Sequence, residues 1–125
     1  MKRVTGLGGI FLKATDPQAL GAWYRKHLGL DVNAWGGAVL RWADDQPGGS
    51  TTWSLVGQDS DQFAPSAAPF MVNFRVADLH GLLAALRREG CQVLEKVHES
   101  DYGKFGWVLD PEGNKVELWE PPPGR

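Results

Sequence analysis

Three histidines, one cysteine and a few carboxylates are the residues of this chain with chemistry to offer, and their spacing limits what they can do. His27, His80 and His98 lie far apart along the chain. No two of them have the helical or strand spacing that would bring a pair of imidazoles to one ion. Cys91 is the only cysteine, so no intrachain disulfide forms, which fits a reducing compartment. Glu117 is the strongest single candidate. In Lys115–Glu120 it falls on the face opposite Val116 and Leu118, where a carboxylate can act as a general base or accept a hydrogen bond from a ligand. The same residue can instead form a structural ion pair with Lys13 or Arg75, because an unpaired buried carboxylate is costly. Both readings are open.

Other candidates share strands with Glu117 or repeat its environment. Asn73 interrupts the apolar run FMVNFRV; its amide can orient a ligand carbonyl or hydroxyl, or satisfy a nearby backbone group. Lys13 and Arg75 are cations at equivalent strand positions, suited to a ligand carboxylate or phosphate, or to a solvated rim. Tyr102, in the loop His98–Gly103, is a candidate lid residue or proton donor, or an ordinary loop tyrosine. Trp53, Trp107 and Trp119 can stack on a planar ligand or pack in a core. Phe11 and Met71 complete the candidate wall.

The elements that must position these residues follow from hydrophobic period and turn chemistry. Gly8–Ala14 alternates as a strand, with Ile10, Leu12 and Ala14 on one face and Phe11 and Lys13 on the other. Asp16-Pro17 begins a helix, with Asp as N-cap and Pro at N1. Leu20, Trp23, Tyr24 and Leu28 form its apolar stripe, and Gly29 stops it. Short strands are predicted over Leu30–Trp35, Ala38–Trp42 and Thr51–Val56. Residues 58–69 are polar and Pro-containing, as a linker would be.

The pattern then restarts. Phe70–Val76 is a strand, Asp78 caps a helix striped by Leu79, Leu82, Leu83 and Leu86, and Gly90 ends it. Cys91–Val97, Lys104–Leu109 and Lys115–Glu120 are the remaining predicted strands. Turn geometry accounts for Asp110, Gly113 and Asn114 between the last two. Pro121-Pro122-Pro123 cannot continue a sheet. Superposing the halves pairs Asp16 with Asp78, Leu20 with Leu82 and Lys13 with Arg75. The expected organisation is one α+β domain, 1–125, of two tandem βαβββ modules, 7–57 and 70–120, forming a curved mixed sheet. One module has a one-sided sheet and cannot close a core; two together leave a concave face between them.

Bulk properties narrow the function. At 125 residues and 42% hydrophobic, the chain suffices for one core. A net charge of -2 excludes the basic footprint of a nucleic-acid binder, and the apolar run near the N-terminus is too short to cross a membrane. A soluble cytoplasmic protein is expected.

Three motifs carry a family resemblance. D-P-x-x-L-x-x-W-Y-x-x-x-L-G-L at Asp16–Leu30, F-x-V-x-D-L at Phe74–Leu79 and above all D-P-E-G-N-x-x-E-L at Asp110–Leu118 resemble the vicinal-oxygen-chelate superfamily of glyoxalase I, bleomycin-resistance proteins and extradiol dioxygenases. The resemblance spans nearly the whole chain. It implies a pseudo-twofold sheet curled into a cup, often in a homodimer, with a ligand or metal inside. Metal-dependent members place ligands at four quasi-symmetric positions, which here are Gly9, Trp53, Met71 and Glu117. Only Glu117 can coordinate a hard cation, and one carboxylate falls short of the three protein ligands of a catalytic zinc site. The expectation is therefore a cup that binds a small amphipathic or aromatic ligand without a catalytic metal or other cofactor; a divalent ion, if held, would rest on Glu117. Two other activities fit the resemblance: a glyoxalase-like lyase or isomerase using Glu117 as base or metal ligand, and a dimeric interaction module with a vestigial cup.

Overall fold

Helix α1 (Pro17–Leu28) starts where Asp16-Pro17 predicts, in a computed structural model that describes residues 1–125. The Asp16 carboxylate accepts a hydrogen bond from Ala19 N at 3.1 Å, and Gly29 ends the helix in the left-handed conformation. Helix α2 (Leu79–Arg88) repeats the device, its cap Asp78 accepting from Gly81 N. A capping side chain of this kind stabilises a helix by about 1 kcal/mol. Each start is secured a second time from the second half of the chain. Glu112 accepts from Thr15 N and Asp16 N, and Glu120 accepts from Leu79 N.

Five strands make one mixed sheet: β1 (Val72–Arg75), β2 (Gln92–Val93), β3 (His98–Ser100), β4 (Gly103–Leu109) and β5 (Lys115–Glu120). Their order is β1-β5-β4-β2, with β3 also paired to β4. The β1–β5 pair is parallel and the others are antiparallel. A parallel pair needs a long crossover, and α2 lies within it. The protein is thus an α+β fold with a mixed, curved sheet.

Strand alternation sorts side chains between the two faces. Val108, Val116 and Leu118 point to α2 and are buried with Leu79, Leu83 and Leu86. Leu20 and Tyr24 bring α1 into the same core. Gly106 lies under α2, where a Cβ would come within 2.8 Å of Leu83 Cδ1, so the helix rests directly on the backbone of β4.

Helix α1 is also held by polar contacts. The Asp110 carboxylate, 3% exposed, accepts from Glu112 N, Asn114 N, Asn114 Nδ2 and the Tyr24 hydroxyl, the last at 2.8 Å. Turn geometry alone therefore does not account for Asp110, because the same carboxylate clamps α1 to the β4–β5 turn.

The first module departs from expectation. Its helix forms, but the predicted strands 8–14, 30–35, 38–42 and 51–56 make no ladder. The main-chain bonds there are local, such as Gly36 N to Asn33 O and the single 3-10 turn Trp42–Asp44. A strand is stabilised by a neighbour's N–H and C=O groups, and no strand of this chain lies beside these segments. Many of their apolar side chains, among them Ile10, Phe11, Trp35 and Trp53, stay exposed, while Ala14, Leu30 and Val32 pack against the core. In the second half, β3 forms inside an expected loop. Asp101-Tyr102 closes a two-residue hairpin, with Gly103 at φ 114°. A Cβ at Gly103 would lie 2.4 Å from Glu120 O, so only glycine fits. The expected strand 91–97 shortens to β2, though Leu94 N still donates to Trp107 O.

Two outcomes follow from the Asp110 clamp. Asp110→Ala strips partners from four donors and should cost about 2–4 kcal/mol in urea unfolding, with little change in the slope. The second concerns alkaline pH. Burial, and then the hydrogen bond to Asp110, hold the Tyr24 phenol protonated well above the usual tyrosine range. The unfolded chain releases that proton near pH ~10, so above this pH the unfolded state binds fewer protons and stability falls as pH rises. Urea midpoints between about pH 9 and about pH 11 should decline in the parent protein, and Tyr24→Phe should lack that part of the decline.

Candidate functional site

The face of the sheet turned away from α2 carries the chemistry. Register aligns Asn73, Glu117 and Trp107 in one row across β1, β5 and β4. The next row on this face is Arg75, Trp119 and Phe105, extended by His98 on β3. Phe105 and Trp107, whose face alternation alone leaves undecided, are therefore cup residues. Lys115 shares the face too, with its ammonium 5.4 Å from the Trp107 ring centroid. Counting back two residues from Glu117 would have found it.

Glu117 sits at the centre. Its Oε1 accepts from Asn73 Nδ2 at 2.7 Å and its Oε2 accepts from Trp107 Nε1 at 3.0 Å. These partners are an amide and an indole, so neither Lys13 nor Arg75 forms the ion pair considered for this carboxylate. Both bonds run between directly opposed residues, the closest side-chain neighbours in a sheet. An ionised carboxylate has about four acceptor sites. Two are used, so the oxygens stay free to accept a hydrogen bond from a ligand, and the Asn73 and Trp107 donors fix where that acceptor stands.

The second row is stacked. The rings of Phe105 and Trp119 lie 6.2 Å apart at 18°, and the Arg75 guanidinium covers Trp119 at 5.1 Å. Trp119 Nε1 donates to Tyr102 O at 2.8 Å. Arg75 is committed elsewhere as well: to Asp45 at 3.1 Å, to Ser50 O at 2.7 Å and to Arg125 O. It ties the loop at 45–50 and the C-terminal residue to the wall of the cup, and it holds Trp119 in place.

The structure brings Asn73, Arg75, Trp107, Glu117 and Trp119 together and leaves other candidates apart. Met71 is half-buried just before β1. Phe11 is 94% exposed and Trp53 72%, and Lys13 is exposed beside Phe11. Tyr102 is 70% exposed at the β3–β4 turn, and it touches the cup through its carbonyl oxygen. Two hollows of about 300 and 410 Å³ lie away from this face. One is beside Trp23, Cys91 and Asp110; the other is beside Glu99, Lys104 and Glu120.

The donor set does not fit the metal that the resemblance implies. Of the four positions, Gly9, Trp53 and Met71 offer no hard ligand. A catalytic divalent site needs about three protein ligands at one point, and the cup provides one.

Residues 9–119 match the family described as a glyoxalase-like domain. Solved structures with TM-scores above 0.5 share the fold. TnmS3, an antibiotic binding protein from a Streptomyces species, is 20% identical over 98% of this chain and 100% of its own, with a TM-score of 0.62. A lactoylglutathione lyase from Agrobacterium tumefaciens is 20% identical over 93% and 96%, with a TM-score of 0.54. A glyoxalase family protein from Enterococcus faecalis is 29% identical, but this chain spans about half of it, 54%, through 49% of its own length, with a TM-score of 0.38. No curated protein matches.

Proposed function

The chain belongs to the glyoxalase-like domain family, and from that premise we propose that it binds a small amphipathic or aromatic ligand in its cup without a catalytic metal. The observation that carries this reading is the Asn73–Glu117–Trp107 row, a carboxylate held by two N–H donors within an aromatic wall. A planar ligand stacks on Trp107 and Trp119 and donates a hydrogen bond to Glu117. An apolar wall with a few placed polar groups is the usual make-up of such a site. The misfit of the four metal positions supports the same reading, as does the description of the structurally similar TnmS3 as an antibiotic binding protein. No helix is long and apolar enough to cross a membrane, and the proposed setting is the cytoplasm.

The proposed assembly is a homodimer. Phe11, Trp53 and the other exposed apolar side chains of the first module are the surface a second copy would cover.

A thermal-shift and calorimetric screen against planar aromatic and cationic antibiotics tests the ligand. A hit should raise the melting temperature and quench tryptophan emission. Trp119→Ala and Glu117→Gln should each weaken it about tenfold, the equivalent of about 1.4 kcal/mol. Absence of any shift across such a panel counts against binding. A turnover that disappears in Glu117→Ala would instead establish the lyase or isomerase. For the assembly, light scattering coupled to size exclusion should give twice the chain mass, and a monomer at every concentration would end the dimer proposal.

A further inference from the structure

The two helices end at one place, on the helical side of the sheet and away from the cup. His27 lies in the last turn of α1, Glu89 caps the C-terminus of α2, and Cys91 follows two residues later. The tertiary fold brings together residues 62 apart in the chain: His27 Nδ1 and Glu89 Oε1 are 2.6 Å from each other. With Cys91 Sγ they form a set of nitrogen, oxygen and sulfur atoms all within 4.8 Å of one another. His27 is only 10% exposed and Cys91 is half-buried, while Glu89 reaches solvent. Cys91 also lines the hollow of about 300 Å³ beside Trp23 and Asp110, which leaves room for an additional ligand.

We propose that His27, Glu89 and Cys91 form a binding site for a borderline divalent transition cation, zinc above all, with water from the adjoining hollow as fourth ligand. Thiolate, imidazole and carboxylate are the ligand types zinc takes in proteins, whereas magnesium and calcium avoid sulfur. Tetrahedral zinc places its ligand atoms roughly 3.3–3.6 Å apart, from its bond lengths of about 2.0–2.3 Å. The set reaches that geometry if the His27–Glu89 contact opens by under about 1 Å and Cys91 Sγ moves in by at most about 1.3 Å. The helix dipoles agree, because both C-terminal ends present partial negative charge to a cation. The basic groups of the same turns are Arg25, Lys26, Arg87 and Arg88.

Binding converts the Cys91 thiol to a metal thiolate and releases its proton to solvent. Affinity therefore rises with pH. None of the three residues belongs to the cup, so a bound ion would link α1 to the end of α2 and leave Glu117 untouched.

Cobalt(II) titration of the metal-stripped protein tests the site. The expected result is a thiolate-to-cobalt charge-transfer absorption together with tetrahedral ligand-field bands, both abolished by zinc. Cys91→Ser should remove the charge-transfer absorption, and His27→Gln should weaken zinc at least tenfold in competition with a chromophoric chelator. Each variant is checked for parental far-ultraviolet circular dichroism, and His27→Gln keeps the test open if Cys91→Ser does not fold. No charge-transfer absorption at saturating cobalt, an absorption that survives Cys91→Ser, or unchanged zinc affinity in His27→Gln would overturn the proposal.

Discussion

The buried carboxylate of Asp110 connects the two halves of this chain. Two of its four hydrogen bonds shape the β4–β5 turn through backbone donors, and a third, from Asn114 Nδ2, braces the same turn. The fourth comes from Tyr24, in the middle of α1. A carboxylate this buried is tolerable only when it is fully hydrogen-bonded, so the turn cannot form well without α1, nor α1 dock without the turn. Glu112, from the same turn, closes the start of α1. The motif D-P-E-G-N thus acts as a tertiary fastener as well as a hairpin.

With α1 and α2 both packed on one side, the other side of the sheet is left uncovered by them. Gly106 sets how closely α2 approaches β4, and the buried valines and leucines of β4 and β5 fill the layer between. Alternation then turns Trp107, Glu117 and Trp119 outward without choice. The outward row is a consequence of packing the core: the strand residues that cannot face α2 must face the opposite side. Arg75 extends this order to distant chain, since it reaches Asp45, Ser50 and Arg125 while covering Trp119. The Proposed ligand wall is therefore braced by the loop at 45–50 and the C-terminus as well as by its own strands.

Much of this was legible beforehand. Helix starts and stops are local chemistry, and Asp16, Asp78 and Gly29 act as their types require. Stripes such as Leu79, Leu83 and Leu86 state which side of a helix is buried. Glu117 could be placed on the outward face from its neighbours Val116 and Leu118 alone. The partners of Glu117 could not be foreseen so directly. They depend on β5 lying between β1 and β4, a matter of topology rather than of any residue's neighbours. The first module shows the same limit more sharply, because period-two alternation in 8–14 or 51–56 says which side chains share a face but does not supply a strand to pair with. Likewise Tyr102 was visible as a loop tyrosine, but its carbonyl contact with Trp119 arises from the unforeseen β3–β4 hairpin.

The sequence by itself determined the two helices, the hairpin at Asp110–Asn114, the outward position of Glu117 and the absence of metal ligands at three of the four family positions. These depend on residue type and short-range spacing, which act within one or two turns of chain. Only the tertiary structure decided that Asn73 and Trp107 grip Glu117, that Arg75 serves the loop at 45–50 and the C-terminus, and that His27 meets Glu89 and Cys91. Each of those contacts joins residues that only strand order and helix docking bring within about 3–5 Å, the range where hydrogen bonds and ligand sets exist.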